Sequence, residues 1–343
     1  MSIARQHGLT PGLFRLALAA LVVFDHFSGV MLGRGAVFIF FILSGFWISR
    51  MWRERYAELQ NPYFTFVISR LWRLMPTMLV ATVFSATIIL IAGGQSALNF
   101  DKVNWGHFTF SSVFLIGYAE LGSPRLVEPA WSLDIEMRFY LVAPALAVAL
   151  RLFGAGWFLS LALAIFGLSA LGLTAGNPVA LLGMKYLIWF AIGMAAEHVR
   201  WSPPRWVSTA SLAGFVGVIA VVQLLFPAAL IDPTLNAENL HLNMLLALVA
   251  APYALATCVI ASSKRDREFG DLSYIIYLVH WPVFAVLFVS DAISPLTIAV
   301  SLAMIAAISW SVLQYIDQPL QRLRVRWVTS RETSAQLASQ TIT

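Results

Sequence analysis

Ten apolar blocks, each of roughly twenty residues, run through this chain, at 13–31, 35–51, 74–93, 131–151, 154–174, 179–199, 206–226, 241–261, 273–290 and 295–315. About twenty helical residues cross the hydrocarbon core of a bilayer, where only helices and closed barrels satisfy every backbone hydrogen bond. The blocks therefore predict an all-α integral membrane protein, a polytopic bundle of about 10 transmembrane helices. A soluble domain is about a quarter charged. Here 11% of 343 residues are charged and 59% are hydrophobic, with a mean hydropathy of +0.79, which excludes a soluble enzyme. The stretch from Phe108 to Ala119 is too short to span and reads as an interfacial or re-entrant piece of a loop.

Charge then orients the chain. With the N-terminus inside, sixteen cations fall in inward loops: Arg5, Arg50, Arg53, Arg55, Arg70, Arg73, Arg151, Arg200, Arg205, Lys264, Arg265, Arg267, Arg322, Arg324, Arg326 and Arg331. Three fall outside, Arg34, Lys102 and Arg125, so the positive-inside bias predicts both termini in the cytoplasm. The same distribution accounts for the net charge of +5 without a nucleic-acid partner. The N-terminal apolar run lacks a small-x-small cleavage site before Asp25 and His26, and is expected to stay as the first helix. Cys258, the lone cysteine, sits in an apolar run and reads as packing. The polar stretch 329–343 is expected to be a disordered cytoplasmic tail.

Ionisable groups inside spans cost several kcal/mol unless paired or hydrated, so they mark function by default. Arg15 and His26 are eleven residues apart. On one helix they differ by about 20° in azimuth and about 16 Å in height. An imidazole with an ordinary pKa near 6.5 suits general-base chemistry, although it also serves as an interhelical hydrogen-bonding group. Asp25 is about 100° from His26 and can face a neighbouring helix. Ser44 and Gly45 interrupt a run of large residues, where either a backbone or a ligand can approach. Arg70 and Arg73 lie nearly on one face of a helix start and fit a polyphosphate or plain positive-inside anchoring. Ser132, Glu136 and Tyr140 share a face from which Asp134 points away; Glu136 fits either a partner for His26 or an ion pair with Arg138. Tyr274, Tyr277 and His280 lie near one stripe just before Pro282, with His280 in a structural or supporting role. The six histidines show no metal-ligand spacing, so no metal is expected.

Taken in order, Arg15 and His26, FFILSGFWIS (Phe40–Ser49), the Arg70 and Arg73 pair, WSLDIEMRFY (Trp131–Tyr140) and YIIYLVHWP (Tyr274–Pro282) resemble the acyltransferase-3 family of integral membrane O-acyltransferases. Many members carry Ser-x-Glu-Glu where this chain has Asp134, Ile135, Glu136 and Met137, so the second carboxylate is absent. The chain looks like a stand-alone form without a fused esterase-like domain, with residues 1–328 as a single transmembrane acyltransferase domain.

The resemblance implies transfer of an acyl group, usually acetyl, from cytoplasmic acyl-CoA to a hydroxyl of a surface glycan or its lipid-linked precursor, in the bacterial cytoplasmic (inner) membrane. On that reading His26, Glu136 and Arg15 are catalytic; Arg70, Arg73, Arg15, Ser44 and Gly45 hold acetyl-CoA; and Trp131, Ser132, Asp25, Tyr140 and His280 lie on the acceptor side. Membrane lipid is the expected partner, and composition leaves a homo-oligomer open. A non-enzymatic glycolipid or polysaccharide transporter, or a sensor or scaffold, shares the many spans and polar cavity; binding or slow hydrolysis of acetyl-CoA separates these. Succinyl and longer acyl donors fit the same reading as acetyl.

Overall fold

The computed structural model describes residues 8–91, 104–118, 125–172, 184–289 and 294–342. Arg5, Lys102, Ala119 and the block ends at 92–93, 173–174, 179–183 and 290 lie outside them. In chain order the α-helices are α1 (Pro11–Ser28), α2 (Gly33–Met51), α3 (Pro62–Ile91), α4 (Trp105–Phe114), α5 (Trp131–Ala170), α6 (Leu187–His198), α7 (Arg205–Leu225), α8 (Ala228–Ile231), α9 (Asn236–Cys258), α10 (Lys264–Val289), α11 (Pro295–Val312) and α12 (Gln318–Ile342). No strand occurs among the described residues. By length and composition, seven helical stretches among them can cross a membrane: Pro11–Ser28, Gly33–Tyr56, Pro62–Ile88, Glu128–Ala170, Arg205–Leu225, Asn236–Cys258 and Pro295–Thr333.

Local chemistry sets the helix ends. Pro11 starts α1 with its φ already helical. Gly29, at φ 71°, stops it in the left-handed conformation and donates its N–H to the Asp25 carbonyl. Gly154 takes φ 81° and ψ 166°, a region essentially reserved for glycine, and interrupts α5 between two apolar runs. Ser294 and Thr297 form a reciprocal capping box at the start of α11.

α3 begins at Pro62, three turns before the apolar block at 74, so the helix start that carries Arg70 and Arg73 is continuous with the span. α12 continues past Trp327 to Ile342. The expected short element before α5 is present as the ten-residue α4, closed by Leu115 in the left-handed region.

The chain divides into two compact units, with boundaries inside α2, α5 and α10. The first comprises Met1–Trp47, Ala149–Gly176 and Met184–Tyr277. In it α7 packs on α9, and Leu32, Leu230, Leu242 and Leu246 form a buried cluster beneath the α1–α2 turn. The outer face of α7 presents Val216, Val221, Leu224 and Leu225, with Leu224 81% exposed. A continuous apolar helix face left uncovered is stable in lipid and not in water. α2 and α6 cross at a pair of glycines: a Cβ on Gly45 would overlap the Phe190 carbonyl, and one on Gly193 the Ile42 carbonyl. Small residues at such crossings let the backbones touch.

The second unit comprises Ile48–Val148, Asn177–Gly183 and Leu278–Thr343. Here α12 packs along α3, and α4 lies against α3. The loop into α5 is pinned by Ser85 Oγ donating to the Leu126 carbonyl, and by Val127 N–H donating to Tyr118 Oη at 2.9 Å.

Candidate active site

In the first unit, Arg15 is half-buried on α1, and its guanidinium lies 6.0 Å from the centre of the Phe40 ring. Its Nε is buried and makes no hydrogen bond among the described residues. Phe40 in turn meets Tyr277 edge-on, with centroids 6.3 Å apart. Three of the sequence motifs, those containing Arg15, Phe40 and Tyr277, thus converge through contacts that no spacing within any one motif displays. Tyr274 and Tyr277 are both buried.

His26 occupies the last turn of α1 and is half-buried. The chain just beyond it is held tightly. Asp25 Oδ2 accepts the Gly33 N–H at 2.5 Å, so this carboxylate closes the turn onto the start of α2. Asn243 Oδ1 accepts the Gly35 N–H at 2.6 Å, while its amide donates to the Met31 carbonyl at 2.9 Å. Asn239 donates to the same carbonyl at 2.8 Å and to that of Ala229 at 3.1 Å. Both asparagines are buried on α9. They supply partners for backbone groups that the break between α1 and α2 leaves without helical ones. Sequence reasoning missed them; two asparagines four apart at the head of an apolar helix were the available signal.

Ser44 is half-buried and Gly45 buried. The structure sets Gly45 against the backbone of Phe190, the packing alternative that its sequence position allowed.

The second unit holds the other candidates. Arg70 is 6% exposed and lies against a pair of rings that touch each other, 5.8 Å from the centre of Phe66 and 6.0 Å from that of Tyr56. Its Nη2 donates to Tyr56 Oη and Ser69 Oγ at 3.4 Å each. Arg73, expected to act beside it, turns to a different partner: Nη1 donates to both Asp317 oxygens at 3.3 Å. Asp317 is 1% exposed, lies in the π-turn Leu313–Asp317 and also accepts from Thr77 and Gln321 at 3.3 Å.

At the start of α5, Ser132 donates to the Pro129 carbonyl at 3.1 Å, and Trp131 is half-buried beside it. Arg138 forms a bidentate pair with Asp134, Nε to Oδ1 at 2.5 Å and Nη2 to Oδ2 at 2.7 Å, and Asp134 Oδ1 also accepts the Gly117 N–H at 3.2 Å. Of the two partners open to Glu136, Arg138 is therefore engaged by Asp134. Glu136 is half-buried and accepts from Tyr140 Oη at 2.5 Å. The Tyr140 ring meets Phe66 edge-on at 6.3 Å. Glu136, Tyr140, Phe66 and Arg70 are consequently linked in sequence by one hydrogen bond, one aromatic contact and one cation–π contact. His280 is fully buried in the same unit.

The parts available are two buried or half-buried guanidinium groups, an imidazole at a helix end, and a carboxylate positioned by a phenol. Taken singly, a guanidinium group suits an anion, an imidazole suits proton removal and a carboxylate suits stabilising positive charge.

Comparison with known proteins supports the same class. The family whose sequence model is described as "Acyltransferase domain" (Acyl_transf_3) matches residues 10–315. The chain is 27% identical over 293 residues, 79% of its length and 71% of theirs, to a protein of Komagataeibacter xylinus named as a membrane-bound transacylase, BcsY. It is 31% identical over 144 residues, 39% of its length and 23% of theirs, to the peptidoglycan O-acetyltransferase OatA of Listeria monocytogenes serovar 1/2a. No solved structure matches it. The family match extends over all five motifs and the helices that carry them, and the chain belongs to the acyltransferase-3 family.

Proposed function

We propose that this protein moves an acyl group, acetyl in the first instance, from cytoplasmic acyl-CoA to a hydroxyl of an extracytoplasmic or lipid-linked glycan, with His26 as general base or transient acyl carrier. The observation that carries the reading is the placement of Arg15 and His26 on the single helix α1. A rise of about 16 Å separates them, a distance the pantetheine arm of coenzyme A covers. The nucleotide then stays at the cytoplasmic rim near arginines while the thioester reaches the imidazole, and only the acyl group crosses.

In the general-base route His26 takes the acceptor's hydroxyl proton as the oxygen attacks the thioester carbonyl. The C–O bond forms, the C–S bond breaks, and the thiolate of coenzyme A leaves and is protonated. Glu136, oriented by Tyr140, is the candidate for steadying the charge that develops or the acceptor; Trp131, Ser132, Asp25, Tyr140 and His280 are the acceptor-side candidates. The break at Gly154 and the 26-residue α10 bring the seven long apolar stretches toward the proposed ten spans, while α6, at twelve residues, is too short to cross alone. Both termini then face the cytoplasm of a bacterial inner membrane. Both named relatives carry acyl or acetyl transfer in their names, which supports the reaction class.

Mass spectrometry of surface glycans from cells with and without the protein tests this. Loss of one acyl substituent, acetyl or succinyl by its mass, is the expected result; identical glycans in both strains contradict it.

A further inference from the structure

Four arginines of the second unit, Arg55, Arg70, Arg73 and Arg324, gather where α12 packs along α3, and they are not equivalent. Arg73 is paired with Asp317 and Arg55 with Glu332. Arg70 and Arg324 have no carboxylate within ion-pair distance among the described residues. Instead they share one neutral oxygen: Ser69 Oγ accepts Arg324 Nη1 at 2.9 Å and Arg70 Nη2 at 3.4 Å. Ser69 also lies 2.9 Å from Tyr56 Oη. Arg324 is fixed from the other side by Gln321, whose Oε1 accepts its Nε at 2.7 Å. Gln321 itself donates to Asp317 and to the Arg73 carbonyl. Arg70 is more than nine-tenths buried, and its Nε has no hydrogen-bond partner among the described residues.

Two guanidinium groups converging on one hydroxyl repel each other and hold several N–H donors that neutral oxygens satisfy only in part. A phosphate group removes both deficits, because its charge and its oxygens match the planar donor fork. We infer that Arg70 and Arg324, which both donate to Ser69, form the seat for a phosphate group of the nucleotide thioester donor, and that Arg73, committed to Asp317, positions α12 rather than binding phosphate. This rests on the acyl-CoA reading above. It replaces the local Arg70 and Arg73 pair with a pair drawn from two helices some 250 residues apart in sequence.

Calorimetric titration of the full-length protein in zwitterionic nanodiscs tests it, with coenzyme A and with pantetheine, which carries no phosphate. Arg324→Gln is expected to weaken coenzyme A binding tenfold or more and to leave pantetheine binding unchanged. Arg324→Lys, which keeps the charge, is expected to lose less and serves if the glutamine variant does not fold. Wild-type coenzyme A affinity in Arg324→Gln, or an equal loss for both ligands, overturns the seat. So does an Arg324→Gln effect confined to retention of phosphatidylglycerol in anionic nanodiscs. If the wild-type protein binds no coenzyme A, the donor reading fails, and inorganic pyrophosphate decides the seat separately. Binding of pyrophosphate that Arg324→Gln weakens keeps the seat, and binding that it leaves unchanged overturns it.

Discussion

Arg138 and Asp134 form a buried bidentate ion pair one turn apart on α5, with exposures of 4% and 0%, so the two carboxylates of this helix have separate tasks. Removing one partner of a buried pair leaves an uncompensated charge and costs about 3–5 kcal/mol. Asp134→Ala is therefore expected to lower the melting temperature and the yield of folded protein. Glu136→Gln keeps the shape and the oxygen that accepts from Tyr140. It is expected to fold normally yet lose acyl transfer by about 10²-fold or more. Thermal unfolding in detergent, measured beside transfer activity, separates the two; a Glu136→Gln protein with full activity removes that residue from the chemistry.

The glycine crossing of α2 and α6 predicts a sharp size limit. Gly193→Val places side-chain atoms where the Ile42 carbonyl now lies, and Gly45→Val does the same at Phe190. Either is expected to abolish recovery of monodisperse protein by size-exclusion chromatography. If Gly45→Val is recovered intact, the close approach of the two helices is wrong.

Asn243 makes hydrogen bonds to Gly35, Met31 and Asn239 while fully buried. Asn243→Leu leaves the Gly35 N–H without its acceptor, a loss of about 1–3 kcal/mol. Hydrogen exchange is expected to accelerate at residues 29–35 before it does elsewhere in the first unit, and unchanged protection there contradicts the pinning of the turn after His26.

Asp266 predicts a pH dependence. Burial pushes its carboxyl up, but hydrogen bonds from Thr10, Ser262 and the amides of Gly12 and Leu13 together outweigh this and hold its pKa below the ordinary carboxylate value. A group lowered on folding stabilises the folded state fully above its unfolded pKa of about 4, and that contribution fades as pH falls toward the folded value. The melting-temperature difference between wild type and Asp266→Asn should accordingly be constant from pH 7 to about 5 and shrink on further acidification. A difference that persists unchanged to pH 3 contradicts it.

The placement of helices was legible because lipid-facing and core-facing positions are both apolar, and each block announces its length. The interruption of α5 at Gly154 falls where one such block gives way to the next, between 131–151 and 154–174. What the sequence concealed were partners across helices. Arg324 looked like one more inward anchor, since charge sorting records side and depth and carries no information about Ser69, 255 positions away. Arg70 and Arg73 looked like a matched pair because they are three apart, yet that offset of about 60° on a helix is enough to send one to Tyr56 and the other to Asp317. Asn239 and Asn243 escaped notice because their role, satisfying a backbone turn between other helices, has no local pattern.

The central claim is that His26 performs the chemistry, and the direct measurement is acyl transfer by purified His26→Ala protein supplied with acetyl-CoA and cell-surface glycan, beside its abundance and coenzyme A affinity. The account predicts that transfer falls by at least 10²-fold while abundance and coenzyme A binding stay near wild type. Transfer retained at the wild-type rate contradicts it.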